Sequence, residues 1–128
     1  MSQFKLLLVV FFGGGLGSAA RFLVAKWLNG PHWLPFGTLI TNIAACFLLG
    51  SLVALADQKL LLNPYTRLFF TVGFCGGFST FSTFSQETTV MLNGHLNLAA
   101  VSYILLSVFL CLAASFGGMA VVKYGAGQ

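Results

Sequence analysis

Apolar residues fill four long stretches of this chain, at about residues 4–28, 36–56, 66–92 and 98–122. Each comes close to the roughly 20 apolar residues that a membrane-spanning helix needs. Short polar connectors rich in Asn, Gly, Pro and His separate them, as helix ends require. Of the 128 residues, 58% are hydrophobic and 6% are charged. The pattern predicts an all-α membrane protein with four transmembrane helices, and residues 1–128 form one domain.

The third apolar stretch is interrupted at residues 73–85. This segment contains three glycines, four aromatic residues and five hydroxyl side chains. A membrane helix has no water to satisfy freed backbone groups, so a break is tolerated only inside protein or beside a wet cavity. The pair Gly76-Gly77 therefore predicts a broken third helix. We expect this segment to be the working part of a transport protein.

Polar side chains also follow one face of two other predicted helices. Asn42 lies about 9 Å along the second helix at a rise of about 1.5 Å per residue, and Thr38 is one turn before it. On the fourth helix the stripe recurs at every fourth position: Tyr103, Ser107, Cys111 and Ser115. Polar groups at membrane depth are costly and indicate a functional path.

The composition of these stripes favours a small anion as the transported species. The side chains offer hydrogen-bond donors and almost no net charge, and Phe81 and Phe84 lie on one face of the third helix. An aromatic ring is positive at its edge, so a ring turned edge-on attracts an anion weakly. A cation would instead require carboxylate rings or rows of carbonyls. The single acid of that helix, Glu87, lies near its end, and its role stays open.

Other classes of function lack the residues they need. No Ser or Thr in the spans has an intramembrane His or Lys partner, so we expect no enzyme activity. The cysteines Cys46, Cys75 and Cys111 lie inside predicted spans without metal-type spacing, and are interpreted as apolar filler. The net charge of +4 comes from scattered basic residues, which near membranes report topology rather than nucleic-acid binding.

The basic residues give only a weak asymmetry between the two sides of the membrane. Lys5, Lys59, Arg67 and Lys123 fall on one side, and Lys26 on the other, with Arg21 deeper. Either both termini lie in the cytoplasm, or the chain inserts in both orientations and forms an antiparallel homodimer. Small residues recur at i and i+4 on the first and fourth helices, which allows close helix contact inside a subunit or between subunits.

Three motifs identify the chain as similar to a known family. The stretch Gly76 to Glu87 closely resembles the third-helix signature of the CrcB/Fluc family of fluoride ion channels. The stretch Gly13 to Phe22 resembles the family's first-helix motif, and Gly37 to Asn42 its second-helix motif. Ser18 and Ser79 stand where the family commonly has Ala and Thr. The motifs occur in the family's order and cover essentially the whole chain.

The resemblance implies a fluoride-selective passive channel that exports cytoplasmic fluoride across the bacterial inner membrane. It implies a dual-topology antiparallel homodimer with two fluoride pathways and a structural sodium ion at the dimer axis. Gly76 and Ser79 of each subunit would bind that sodium through backbone carbonyls. Arg21 would be structural. The residues implied for the pore and fluoride binding are Asn42, Phe81, Ser82, Thr83, Phe84, Tyr103 and Ser107.

Two other classes of membrane protein have a similar size. Small multidrug-type exporters are also four-span antiparallel dimers, but they need a membrane-embedded Glu in the first helix. The first helix of this chain has no acidic residue, and its notable residues are glycines and Arg21. A non-transporting assembly subunit would leave the glycine-rich break and the polar stripes without a use. Fluoride efflux from liposomes separates these alternatives.

Overall fold

The protein is described by a computed structural model over residues 2–58, 63–125 and 127. Lys59, one of the basic residues used above for topology, lies outside the described residues. Within these ranges, four helical segments are long and apolar enough to cross a membrane: Gln3–Leu28, Phe36–Asp57, Pro64–Asn93 and Asn97–Gly125. The four predicted spans are confirmed, with ends that differ by no more than a few residues.

Three of the spans are continuous helices, α1 (Gln3–Leu28), α2 (Phe36–Asp57) and α6 (Asn97–Gly125). The third span is composite. It begins with α3 (Pro64–Leu68), continues as a π-helical segment (Phe69–Cys75) and one turn of α-helix, α4 (Gly76–Phe78), and resumes as α5 (Phe81–Asn93). The described residues thus form an all-helical membrane protein.

Asparagine and proline start the internal helices as the connectors predict. The side chain of Asn29 accepts a hydrogen bond from the backbone N–H of Gly37 at 2.7 Å, which caps α2. Asn63 accepts from the backbone N–H of Thr66 at 2.8 Å, and Pro64 occupies the first turn of α3. These caps satisfy N–H groups that have no partner within their own helix.

Glycines bring the spans into backbone contact. The i,i+4 pair Gly13 and Gly17 on α1 is buried and lies against the first half of the third span. Gly50 on α2 lies against the backbone of Ser115 on α6, and Gly118 against the backbone of Phe47. Small residues permit such close approach where bilayer packing relies on van der Waals contact. These glycines therefore serve packing inside the protomer.

The polar side chains gather inside this bundle, and large apolar side chains cover its outside. Phe11, Trp27 and Leu98 are 73%, 75% and 81% exposed. Tyr103 is completely buried, beside Leu34, Leu39 and Met91. The outer faces of the spans are mostly apolar and therefore suit contact with lipid hydrocarbon. The third span is an exception, since Ser82, Gln86 and Thr89 of α5 are exposed.

We expect Gly50→Ala to destabilise the protein and Gly117→Ala to leave its stability unchanged. A Cβ at Gly50 would lie 3.0 Å from the carbonyl carbon of Ser115, and a backbone atom cannot turn aside. Such overpacking lowers the free energy of unfolding by about 1–3 kcal/mol. At Gly117 the nearest atom is on the Phe47 ring at 4.0 Å, so Ala fits. Thermal unfolding midpoints in detergent measure both variants, and equal midpoints would contradict this packing.

Candidate functional site

The third span leaves helical geometry at two residues, Ser79 and Thr80. Ser79 has φ −84° and ψ 158°, and Thr80 has φ −156° and ψ 119°, both extended. Asn42 on α2 holds this extended segment from the side. Its Oδ1 accepts from the backbone N–H of Thr80 at 2.7 Å, and its Nδ2 donates to the carbonyl of Thr80 at 3.2 Å. One amide side chain thus pairs two backbone groups that the interruption frees.

The extended residues are not the glycines to which the sequence assigned the break. Gly76 has φ −64° and ψ −35°, and Gly77 also belongs to α4, so both are helical. Gly77 is needed for close approach instead: an added Cβ would lie 3.0 Å from the amide nitrogen of Ser18 on α1. Gly77 therefore lets α1 contact the third span, whereas an added Cβ at Gly76 would meet no atom of the protomer within 4 Å. The interruption follows two residues after Gly77.

Arg21, for which the resemblance implies a structural role, makes a hydrogen bond beside the interruption. Its Nε donates a hydrogen bond to the carbonyl of Gly77 at 2.9 Å, and the Ser18 hydroxyl donates to the same oxygen at 3.4 Å. A carbonyl beside the interruption thus receives donors from α1. The cationic side chain is half-buried next to the break, and does not line the cavity that Asn42 faces.

Backbone carbonyls beside the interruption lose their helical donors, and those of Gly76 and Ser79 are among them. The N–H of Thr80, the usual donor to Gly76, is taken by Asn42, and no donor to the Ser79 carbonyl is found among the described residues. Gly76 and Ser79 also line a small cavity of about 120 Å³ together with Cys46, Cys75 and Thr71. These oxygens are therefore available to a ligand.

A larger cavity of about 260 Å³, called the first cavity below, lies between α2, α5 and α6 and shares Cys46 and Ser79 with the small one. It is lined by Asn42, Cys46, Ser79, Thr80, Phe81, Phe84, Ser107, Val108 and Cys111. Four of the predicted pore residues, Asn42, Phe81, Phe84 and Ser107, are brought together here. The hydroxyl of Ser107 is buried and has no hydrogen-bond partner among the described residues. An unpaired buried polar group indicates a missing ligand or water.

The two predicted pore phenylalanines differ in their surroundings. Their ring centroids are 5.7 Å apart, with an angle of 43° between the planes. Phe84 packs on Tyr103 with a centroid distance of 5.0 Å, whereas Phe81 is 79% exposed on the outside of the protomer. Phe84 is thus held by the fold, and Phe81 projects from it.

Glu87 is the residue whose role the sequence left open, and the structure gives it two specific partners. Its Oε1 accepts from the hydroxyl of Thr38 at 2.7 Å, and its Oε2 accepts from the hydroxyl of Tyr103 at 2.7 Å. Glu87 also lines a second cavity of about 290 Å³ near Asn29 and His32. The sequence placed Glu87 three residues after Phe84 on one helix face, but it gave no signal that Thr38 and Tyr103 of two other spans would contact its carboxylate.

Three predicted pore residues do not line the first cavity. Tyr103 lies behind Phe84, against Glu87. Ser82 and Thr83 cluster with Thr80, whose hydroxyl lies 3.3 Å from the Ser82 hydroxyl and donates to the Thr83 hydroxyl at 3.1 Å. The Thr80 hydroxyl also accepts from the N–H of Thr83 at 3.2 Å, so it caps α5. Sequence reasoning missed Thr80, whose cap defines where the helix resumes.

Comparison with known proteins places the chain in a family. Residues 8–119 match the family described as CrcB-like protein, Camphor Resistance (CrcB). The chain is 39% identical over 125 residues to the fluoride-specific ion channel FluC of Leptospira interrogans, covering 96% of this chain and 98% of that protein. It is 41% identical over 121 residues to the FluC of Gloeothece citriformis, covering 93% and 98%. A FluC 1 of Yersinia pseudotuberculosis is 45% identical over 105 residues, covering 80% and 83%. This chain therefore belongs to the CrcB-like protein family.

Proposed function

We propose that this protein is a fluoride-selective channel that lets fluoride leave the cytoplasm passively. The similar proteins reported above are named fluoride-specific ion channels, and this chain is similar to them over most of its length. The observation that carries the proposal is the buried Ser107 hydroxyl, which has no hydrogen-bond partner among the described residues and lies in a cavity shared with Asn42 and Phe84. The spans make it a multi-pass protein, and its bacterial relatives favour the inner membrane.

The first cavity has the chemistry that a small anion requires. None of its described lining residues is charged. Asn42 has a second N–H beyond the one given to Thr80, and Ser107 has a free O–H. Fluoride holds its water tightly, so donors must replace part of that water along the path. Because these donors are neutral, they bind the anion without holding it permanently, as conduction demands.

The proposed path continues from the first cavity, past Phe84, to the second. Phe84 lines the first cavity, and Glu87 lines the second. The buried Tyr103 contacts both side chains, through its ring with Phe84 and through its hydroxyl with Glu87. The hydroxyl protons of Thr38 and Tyr103 point to Glu87, so an arriving anion competes with this carboxylate for them. Like charges repel at short range, and we infer that Glu87 keeps fluoride from resting here.

We propose that two copies assemble as an antiparallel, dual-topology homodimer. Phe81 projects from the protomer, and the space above Gly76 is open, with no atom within 4 Å of an added Cβ. Closed two-fold dimers are the commonest oligomers, and a two-fold axis at Gly76 would bring both interruptions together. Phe81 would then line a pathway together with groups of the second subunit.

The carbonyls of Gly76 and Ser79 fit the structural sodium ion that the family resemblance implies. Sodium is a hard cation that prefers oxygen ligands, and these two oxygens lack hydrogen bonds from described residues. In a two-fold dimer each subunit would contribute these two carbonyl oxygens, so four would surround the ion. When bound, the ion would offset the negative ends of these carbonyl dipoles at bilayer depth. We propose this site as a structural one, with no role for the ion in moving fluoride.

Ser79→Ala is expected to keep the dimer and Gly76→Val to lose it. The Ser79 hydroxyl donates to the carbonyl of Cys75 at 2.7 Å, so Ala removes a local bond but no proposed ligand. An added Cβ at Gly76 meets no atom of the protomer within 4 Å, so a valine would project into the space proposed for the second subunit. Multi-angle light scattering in detergent, with and without sodium, measures the dimer. A wild-type dimer in Gly76→Val would contradict both the axis and the ion site.

Fluoride efflux from liposomes tests the proposed function. Purified protein is reconstituted into vesicles loaded with potassium fluoride or potassium chloride, and valinomycin balances the charge. We expect rapid passive loss of fluoride and retention of chloride and protons. Proton-coupled movement of a cationic compound without fluoride loss would indicate a multidrug-type exporter. No flux from well-folded protein would indicate a non-transporting subunit.

A further inference from the structure

Two cysteines line the proposed fluoride path and take no part in the function proposed above. Cys46 on α2 and Cys111 on α6 are both half-buried free thiols, and both border the first cavity. Cys46 lies one turn after Asn42, and Cys111 one turn after Ser107. The thiols thus follow the two donor residues by one helical turn on each wall of the cavity.

The register of the two helices places these thiols at the same level. The second and fourth spans run in the same direction because the chain crosses the membrane four times. Gly50 contacts the backbone of Ser115, and one turn earlier on each helix lie Cys46 and Cys111. Another turn earlier lie Asn42 and Ser107, which share the first cavity. The two members of each pair are separated by the same number of residues, so each pair faces across the helix contact.

We propose that Cys46 and Cys111 form a two-thiolate binding site for a soft divalent metal ion of the mercuric class, and that its occupation blocks the path. The binding stands on the cysteines alone, whereas the block rests on the proposed function. Soft thiolates select soft metals. Within the described part of the chain, no third His, Cys, Asp or Glu completes a metal-binding group with them. Two ligands suit linear coordination and leave tetrahedral zinc incomplete.

The charge balance of this site suits membrane depth. Each thiol releases one proton to water and forms one sulfur–metal bond, with no change of oxidation state. A divalent ion with two thiolates is neutral, so the complex avoids the cost of a buried charge. The ion would lie one turn from Asn42 and Ser107, inside a cavity of about 260 Å³ that fluoride must cross.

Three single variants and one metal salt test the site. Mercuric chloride is titrated against wild type, Cys46→Ser, Cys111→Ser and Cys75→Ser. Cys75 tests the alternative pair: it lines the small cavity together with Cys46, but it is 2% exposed and does not border the first cavity. Intact mass spectrometry reads the adduct independently of transport, and fluoride efflux from liposomes reads the block.

In wild type and Cys75→Ser, we expect one mercury per chain with the loss of two protons, and an arrest of efflux that excess dithiol reverses. Losing one of two linked ligands weakens binding by roughly 10² to 10⁴-fold. Cys46→Ser and Cys111→Ser should therefore need that much more mercury for the same block. Equal sensitivity of these variants and wild type, or loss of the adduct in Cys75→Ser, would overturn the proposal.

The two readouts separate failure of this site from failure of the proposed function. A bridged adduct in a protein that never conducts fluoride would refute the channel and leave the metal site standing. Full fluoride flux without a bridged adduct would refute the site and leave the channel. A bridged adduct with undiminished flux would place the cysteines outside the path and overturn the proposed block.

Discussion

Asn42→Asp is expected to abolish fluoride flux while Asn63→Asp leaves it at the wild-type rate. Asn42 donates one N–H to the carbonyl of Thr80 and presents the other to the first cavity. Aspartate keeps the acceptor for the Thr80 N–H but loses both donors. It also places an anion where fluoride must pass. Two unit charges 4 Å apart repel by about 4 kcal/mol at an effective dielectric constant of 20, which slows passage by about a thousandfold.

Asn63 provides the same chemical change away from the path. Its Oδ1 accepts from the backbone N–H and the hydroxyl of Thr66, and its Nδ2 donates to none of the described residues, so aspartate preserves this cap. Asn42→Ser separates the loss of amide donors from the added negative charge at position 42. It shortens the side chain and keeps a hydroxyl donor without adding charge. We expect a milder loss there. Initial rates of efflux from liposomes at matched protein content measure all three. Wild-type flux in Asn42→Asp would remove Asn42 from the path.

The positions of the spans could be predicted because hydrophobic length alone decides them. Bilayer thickness fixes about 20 residues per helix, and the polar connectors mark the ends. The polar face of the fourth span could also be predicted, since Tyr103 and Ser107 follow helical periodicity. Both are buried in the structure, at 0% and 7% exposure. Helical periodicity shows which residues share a face, so the residues of the fourth span that face the interior could be predicted from it.

The details of the interruption could not be predicted, because they depend on contacts between spans. The glycine pair suggested a break by conformational freedom, yet Gly76 and Gly77 are helical. The extended residues are Ser79 and Thr80, whose backbone Asn42 holds from another helix. The Glu87 cluster was missed for the same reason. Its partners Thr38 and Tyr103 come from two other spans, and only their packing brings them within 2.7 Å.

Phe84→Ile and Phe81→Ile are each expected to lower fluoride flux by at least about tenfold, the factor that about 1.4 kcal/mol produces. Isoleucine keeps hydrophobic bulk and removes the positive ring edge that attracts an anion. The two positions should differ in a second respect. Phe84 packs on Tyr103 at a centroid distance of 5.0 Å, so its replacement also lowers thermal stability, whereas Phe81 is 79% exposed and its replacement does not.

Phe109→Ile is the matched control for both phenylalanine variants. Phe109 lies on α6, is 70% exposed, and does not border the first cavity, so flux and stability should stay at wild-type values. Efflux rates and unfolding midpoints are measured on the same preparations, with the dimer fraction determined for each. If Phe109→Ile lowered fluoride flux as much as Phe84→Ile, the loss of flux would be assigned to general packing and not to the ring edge. Normal flux in both Phe81→Ile and Phe84→Ile, in folded dimers, would show that ring edges do not guide fluoride through this cavity.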